Sequence, residues 1–247
     1  MLFDTHAHLI EASSQELQTI EYPILNVTTS VDQWQAALAL YSKYPLALPA
    51  FGIHPWFVEE ACHQDLETLV KYLASSNAYA VGEIGLDFTD KHKHSSALQL
   101  SFFEQQLELA KTNQLPVSLH CQKAHNDMLN LLRQYDLGKT GIVHGLGASK
   151  EVVARYLDLG YLIGVNGVSC RENARRYHEM IRHFSLEHFV LETDYPNIRL
   201  SESTTGYLSD LNKIAAQIAV LTGYSIEDVI KQTGYNARQI FGFFTSL

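Results

Sequence analysis

Short apolar runs alternate with amphipathic stretches along the whole chain. The runs LFDTH, PILNV, LALPAFGIH, AYAVGEIG, LPVSLHC, TGIVHG, YLIGVNG and HFVLETD read as eight strands. Most are continuously apolar, the mark of strands covered on both faces. Helical periodicity fills the gaps. In SFFEQQLELAKTN, Phe103, Leu107 and Ala110 fall on one helical face, and Asn113 followed by Pro116 marks the end. In SKEVVARYLDLG, Ser149 suits an N-cap and Gly160 a C′ residue. Eight strand–helix alternations in 247 residues predict an α/β protein, a (β/α)8 TIM barrel spanning 1–247 as one domain. A doubly wound open sheet is the alternative, but no GxGxxG loop follows an early strand. No fixed-period repeat, low-complexity tract or long linker interrupts the pattern.

The polar residues in this pattern collect where the strands end. The first run ends in Thr5-His6-Ala7-His8, the third in His54-Pro55, and the fourth in Glu83-Ile84-Gly85-Leu86-Asp87. The fifth ends at His120, the sixth at His144 and the eighth at Glu192-Thr193-Asp194. In a barrel, the C-terminal strand ends converge on the catalytic face. Alternate residues of a strand share a side, so His6 and His8 point the same way and together can hold an ion. Histidines and carboxylates in this number suit borderline divalent metals. They exceed the needs of one catalytic ion and match two ions bridged by a carboxylate.

A buried histidine taken singly is more often a hydrogen-bonded core group; the coincidence at several strand ends carries the metal reading. A second His-x-His, His92 and His94 in DKHKH, lies in a polar stretch without a strand pattern. It is expected to be a solvated loop, or else a rim contact with substrate. His63, His125, His178, His183 and His188 fall in helical or loop contexts. Cys121 alternates to the face opposite His120 and is expected in the core.

Composition narrows the picture. Hydrophobic residues at 46% and charged residues at 18% support a sizeable core and argue against disorder. The formal charge of −9 offers no general field for nucleic acid, so a phosphate substrate has to be held locally. Three scattered cysteines with no CxxC argue against a disulfide scaffold or a thiolate zinc site. No apolar run reaches about 18 residues and no signal-like segment opens the chain, so a cytoplasmic protein without membrane contact is expected.

DTHAHL, FGIHPW, VGEIGLDF, PVSLHC, IVHG, LETDYP and YNARQIF, in this order from Phe3 to Phe241, resemble the TatD family of metal-dependent hydrolases and deoxyribonucleases, within the amidohydrolase-like group. IVHG, and the polar segment running from SLHC to AHNDM, are most similar to the branch that includes the bacterial YjjV-type proteins. The resemblance implies a two-metal barrel whose ligands are His6, His8, Glu83, His120, His144 and Asp194, with Glu83 as the bridging carboxylate. It also marks His54 as a functional position that is not a consensus ligand. Two departures stand out. Many members carry Arg two residues after the fifth-strand histidine, where this chain has Gln122 followed by Lys123. The residue after His144 is Gly145 where a cysteine is commoner. The first departure bears on how phosphate would be bound.

The expected cofactors are two divalent ions, zinc, manganese or magnesium, that activate a water for hydrolysis. Asp194 is either ligand and proton acceptor or ligand alone. His54 either donates to the substrate, by hydrogen bond or proton, or is a packed histidine set by Pro55. Asp4 and Asp87 are candidates to orient ligand histidines, Asp87 alternatively to cap a turn. Lys123 and Arg171 are the candidate substrate contacts, with Lys91 and Lys93 further cations. The substrate expected first is DNA, single-stranded or with frayed ends, or a small phosphodiester, stacked on Trp56, Phe57 or Tyr195. A deacylase or amidohydrolase acting on an ester or C–N bond is the alternative, and a non-enzymatic metal-binding barrel the third reading. No obligate protein partner is evident.

Overall fold

The computed structural model describes residues 1–74, 77–138, 140–200 and 207–243. Eight strands pair in parallel in chain order: β1 (Asp4–Ala7), β2 (Ile24–Val27), β3 (Ala47–Phe51), β4 (Ala80–Asp87), β5 (Val117–Gln122), β6 (Gly141–Val143), β7 (Leu162–Val165) and β8 (Phe189–Leu191). The ring closes between β8 and β1 chiefly through the segment that follows β8. Asp194 N–H donates to the His6 carbonyl at 2.9 Å, and His8 N–H donates to the Tyr195 carbonyl at 2.8 Å. The Thr5 hydroxyl donates to the Leu191 carbonyl at 3.0 Å. The expected eight-stranded barrel is the observed one.

Strand alternation sorts the side chains. On β5, Val117, Leu119 and Cys121 join the apolar cluster shared with helical residues such as Met128 and Leu129. Ser118 and His120 take the other face, where they meet His6 and Glu83. β4 is the longest strand, and it carries Glu83 within its length rather than at its end. Gly85 permits its close pairing with β5: it sits at φ +147°, and a Cβ there would run into the His120 carbonyl. The helix Ser96–Asn113 covers β4, and the expected stripe of Phe103, Leu107 and Ala110 is fully buried. It starts five residues before the periodic stretch and ends at Asn113, with Gln114 left-handed at φ +53°. The helix Lys150–Leu157 begins after Ser149 as expected but stops at Leu157, and Gly160, at φ +82°, lies beyond the Asp158 cap. Among the described residues no helix is long and apolar enough to cross a membrane.

Two glutamines on the helix Ser96–Asn113 are buried, against the habit of the residue type. Gln106 accepts from Ile53 N–H at 2.7 Å and donates to the Ile53 carbonyl at 3.1 Å. Gln99 does the same at Asp87, at 2.8 and 3.0 Å. Each amide thus takes the place of a strand partner where the strands splay, so that no backbone group is left unpaired. Ile53 precedes His54, so this clamp also sets where that imidazole leaves the barrel.

Replacing Gln106 by Ala should leave both Ile53 groups without partners and cost about 2–4 kcal/mol, lowering Tm by about 5–10 °C. Gln105→Ala, on the exposed side of the same turn, should stay within about 0.5 kcal/mol. Thermal melts of the two variants check this; equal shifts would rule the clamp out.

Candidate metal centre

Glu83 is 3% exposed and stands at the centre of a ring of imidazoles. Its two oxygens face different partners. Oε2 lies 3.4 Å from His6 Nε2 and 3.8 Å from His8 Nε2, and His8 Nε2 lies 3.7 Å from Asp194 Oδ1. Oε1 lies 3.1 Å from both His120 Nδ1 and His144 Nε2, which are 3.4 Å from each other, and 3.4 Å from His54 Nε2. Three sets of potential ligand atoms, His6–His8–Asp194, His6–Glu83–His144 and His54–Glu83–His120, each fit within 4.8 Å. His6 Nε2 is buried, aimed into this cluster and without a hydrogen-bond partner. An orphaned imidazole nitrogen among N and O donors is what a divalent ion would satisfy.

The outward-facing atoms of several rings are engaged. His6 Nδ1 contacts Ser118 Oγ at 3.1 Å, His120 Nε2 faces Asp87 Oδ2 at 3.4 Å, and His144 Nδ1 faces Glu192 Oε1 at 3.6 Å. Such partners fix ring orientation and raise the basicity of the inward nitrogen. His54 differs. Its Nδ1 accepts from Trp56 N–H at 3.2 Å, which assigns the proton of the neutral ring to Nε2, the nitrogen facing Glu83. In this tautomer His54 is a donor into the cluster, not a ligand.

Electrostatics follow the same layout. Burial raises the cost of the Glu83 charge, but His54, His6 and His144 around it hold its carboxyl well below the ordinary range. Burial pushes His144 down, yet Glu83 and Glu192 outweigh it and raise the pKa well above that of a free imidazole. His120 is also raised, Asp87 and Glu83 overcoming its burial. In His54 burial wins, and its pKa falls to about 4. His8 is lowered by burial and by His6.

The cleft above the cluster measures about 330 Å³ and is lined by His8, His54, Glu83, His120, His144 and Asp194, with Trp56 and Phe57 on its apolar side. All seven sequence-derived positions, His6, His8, His54, Glu83, His120, His144 and Asp194, therefore meet in one place. Lys123 and Arg171 are exposed and do not line the cleft. Tyr195, one of the three expected stacking aromatics, is 4% exposed, packed in a cluster with Ala7, Leu9 and Leu208, so its ring is not available. His94 pairs with Glu59 at 2.7 Å on the exposed surface, as a solvated loop residue should, whereas His92 lies against Trp56. None of His63, His125, His178, His183 and His188 belongs to a metal-competent group among the described residues.

Asp4 does not orient a ligand imidazole. Its carboxylate accepts from the backbone N–H of His6 and Thr193 at 3.2 and 3.0 Å and from the Thr193 hydroxyl at 2.6 Å, tying β1 to the segment that carries Asp194. Asp87 does both jobs expected of it. Oδ2 accepts from Trp56 Nε1–H at 2.7 Å and faces His120, while Oδ1 accepts from Thr89 N–H at 2.9 Å.

Sequence reasoning named Glu192 at the end of the eighth run without giving it a role, and it missed Asn197. Glu192 is fully buried behind His144 and accepts from Gly145 N–H at 2.6 Å. Gly145 reaches it through a left-handed turn at φ +56°, so the IVHG departure supplies a backbone donor to the carboxylate behind His144. Asn197 Nδ2 donates to Asp194 Oδ1 at 3.1 Å. Glu192 closes the eighth apolar run two residues before Asp194, which was the available signal; Asn197 had none.

A family model described as TatD related DNase matches residues 3–242. The metal-dependent hydrolase YjjV of Escherichia coli is 35% identical over 210 residues, covering 80% of each chain. The crystal structure of the Escherichia coli TatD homologue YjjV superposes with a TM-score of 0.92 at 28% identity over 98% of both chains. A Pantoea ananatis protein described as the 3'-5' ssDNA/RNA exonuclease TatD is 27% identical over 228 residues, 89% of this chain and 87% of its own. The order of the strand-end motifs, the barrel and these likenesses agree: the chain belongs to the TatD family of metal-dependent hydrolases.

Proposed function

We propose that this chain hydrolyses phosphodiester bonds of single-stranded or frayed nucleic acid at a centre of two divalent ions bridged by Glu83. The observation that supports this most directly is the division of labour between the Glu83 oxygens. On the Oε2 side stand His6, His8 and Asp194; on the Oε1 side stand His120 and His144. Of zinc, manganese and magnesium, zinc suits these imidazole and carboxylate donors best, and magnesium, which favours all-oxygen sites, suits them least. When bound, such ions lower the pKa of a water toward neutrality and offset charge developing on a substrate oxygen.

The chain's own groups do the rest. Asp194 lines the cleft and is held by Asn197, which places its carboxylate to accept the proton of the attacking water. His54 is neutral at physiological pH and presents Nε2–H, so it donates a hydrogen bond to a substrate oxygen without giving up the proton. A cleft of about 330 Å³ has the size of a small-ligand pocket and takes a strand terminus but not a duplex. Lys123, beyond β5, and Arg171 are proposed as phosphate contacts outside it. Relatives named as DNase and as ssDNA/RNA exonuclease favour a nucleic-acid substrate.

Three measurements test this reading. After reloading with zinc or manganese, metal analysis should find up to two ions per chain. His6→Ala with His8→Ala should reduce that content, whereas His92→Ala with His94→Ala should leave it unchanged; equal losses would contradict the assignment. Glu192→Gln keeps an acceptor for Gly145 N–H but removes the charge behind His144, and chelator competition should report about tenfold weaker metal binding.

Turnover is the third. Wild type should cut labelled single-stranded oligonucleotides faster than intact duplex, and EDTA should stop it. Asp194→Asn should abolish cutting while keeping the left-handed backbone at φ +51°, which asparagine tolerates. A metal-loaded wild type that leaves every oligonucleotide intact yet hydrolyses an ester or amide would replace the nuclease reading with the deacylase one.

A further inference from the structure

Trp56 is unusual among large apolar side chains near the cleft in being 46% exposed, and it is not loose. Its indole N–H donates to Asp87 Oδ2 at 2.7 Å, and its ring meets His54 edge-on at 4.9 Å and 86°. The result is a fixed aromatic plane at the rim, 5.9 Å from the His120 ring. Against it lies the imidazole of His92, nearly parallel at 5.0 Å and 12°. Lys91 Nζ sits 5.4 Å from the same indole.

The backbone of His92 is pinned. Its carbonyl accepts from Gln99 Nε2 at 2.9 Å and from Ser95 Oγ at 3.0 Å, and its N–H donates to the Thr89 carbonyl at 3.0 Å. Its ring is not held at Nε2, which is buried and has no hydrogen-bond partner. Rotation about the side chain alone would carry the imidazole off Trp56 and break no bond at Nε2. A planar five-membered heterocycle already occupies the stacking position, beside an exposed cation.

We propose that Trp56 is a base-stacking subsite at the rim, that the His92 imidazole holds the place of the base until substrate arrives, and that Lys91 meets a flanking phosphate. This rests on the nucleic-acid reading above and names the group that would bind beside the reacting phosphodiester. Every base has a π-face, so the subsite accepts all four without reading sequence. An imidazole in the stack has to be displaced, which costs affinity; removing it therefore strengthens binding.

The chain carries two tryptophans, and the other, Trp34, is fully buried, so Trp56 dominates any ligand-dependent change in indole fluorescence. The test uses metal-loaded protein and a phosphorothioate dT tetranucleotide that resists cutting, beside the same strand lacking its 3'-terminal base. The complete strand should quench fluorescence saturably and bind about 5–150-fold more tightly than the base-free one, the range for one stacked base. Read by the fluorescence anisotropy of a fluorescein label at the 5' end of each strand, since these variants lack the reporting indole, Trp56→Leu should abolish the preference and Trp56→Phe should restore most of it. His92→Ala should tighten the complete strand several-fold and leave the base-free strand unchanged. Lys91→Ala should weaken both strands alike. Equal affinity for the two strands, a base preference that survives Trp56→Leu, or weaker binding in His92→Ala would overturn the proposal. If wild type cuts oligonucleotides but any of those results is found, only the subsite falls. If the protein neither cuts nor binds either strand, the nucleic-acid reading falls and the subsite with it.

Discussion

A carboxylate with 3% exposure, well inside a protein, is costly unless its charge is matched on several sides. Glu83 is in that position, and much of the barrel mouth is explained by what it requires. Five imidazoles surround it: His6 and His8 from β1 and its end, His54 after β3, His120 on β5 and His144 after β6. No two neighbouring strands carry enough of them. The requirement is met because parallel strands closed into a ring bring side chains from opposite walls to one point. The same ring would leave His6 Nε2 without a partner unless a cation or another polar group supplies one.

Matching one charge creates further demands. Protonated or metal-bound rings need acceptors on their outer nitrogens, and Asp87 and Glu192 stand behind His120 and His144. Those carboxylates need donors in turn, found in Trp56, Thr89 and Gly145. The polar layer is thus built outward in shells that end at half-exposed Trp56 on the rim, although His144 Nδ1 and Glu192 Oε2 within it are buried without a hydrogen-bond partner. This continuity gives the aromatic plane its rigidity. A tryptophan anchored only by apolar packing would not hold a constant angle to the cluster.

Below the mouth the logic is apolar. Valine, leucine and isoleucine from β2 to β8 pack against the covering helices or across the barrel floor, where Phe3 stacks on Phe241 at 5.8 Å. A buried polar side chain in this region pairs with backbone groups, as Asn236 does in donating to the Leu186 and Phe189 carbonyls at 2.8 Å. A stiff apolar lower half and a hydrogen-bonded upper half let the site hold like-charged histidines close together without the strands moving apart.

The sequence by itself determined the eight-strand barrel, because continuous apolar runs spaced by amphipathic helices have few other ways to bury both faces of a sheet. It also pointed to the metal-competent set, because His6, Glu83 and His120 occupy strand positions whose side is fixed by alternation and His8 follows directly on β1. What it left open depended on side-chain direction and on contacts distant in the chain. Asp4 has the right face to reach a ligand ring, yet it is spent on Thr193, a partner 189 residues away that no local pattern reveals. The tautomer of His54 turns on a hydrogen bond from Trp56 N–H, and the buried state of Tyr195 on how the segment after β8 closes the ring. DKHKH shares its spacing with DTHAH; the polar stretch around it already marks a loop in the sequence, and the fold adds that this loop sends one ring to a tryptophan and the other to Glu59 at the surface. Periodicity encodes which side of an element a residue takes; only the assembled barrel decides what stands opposite it.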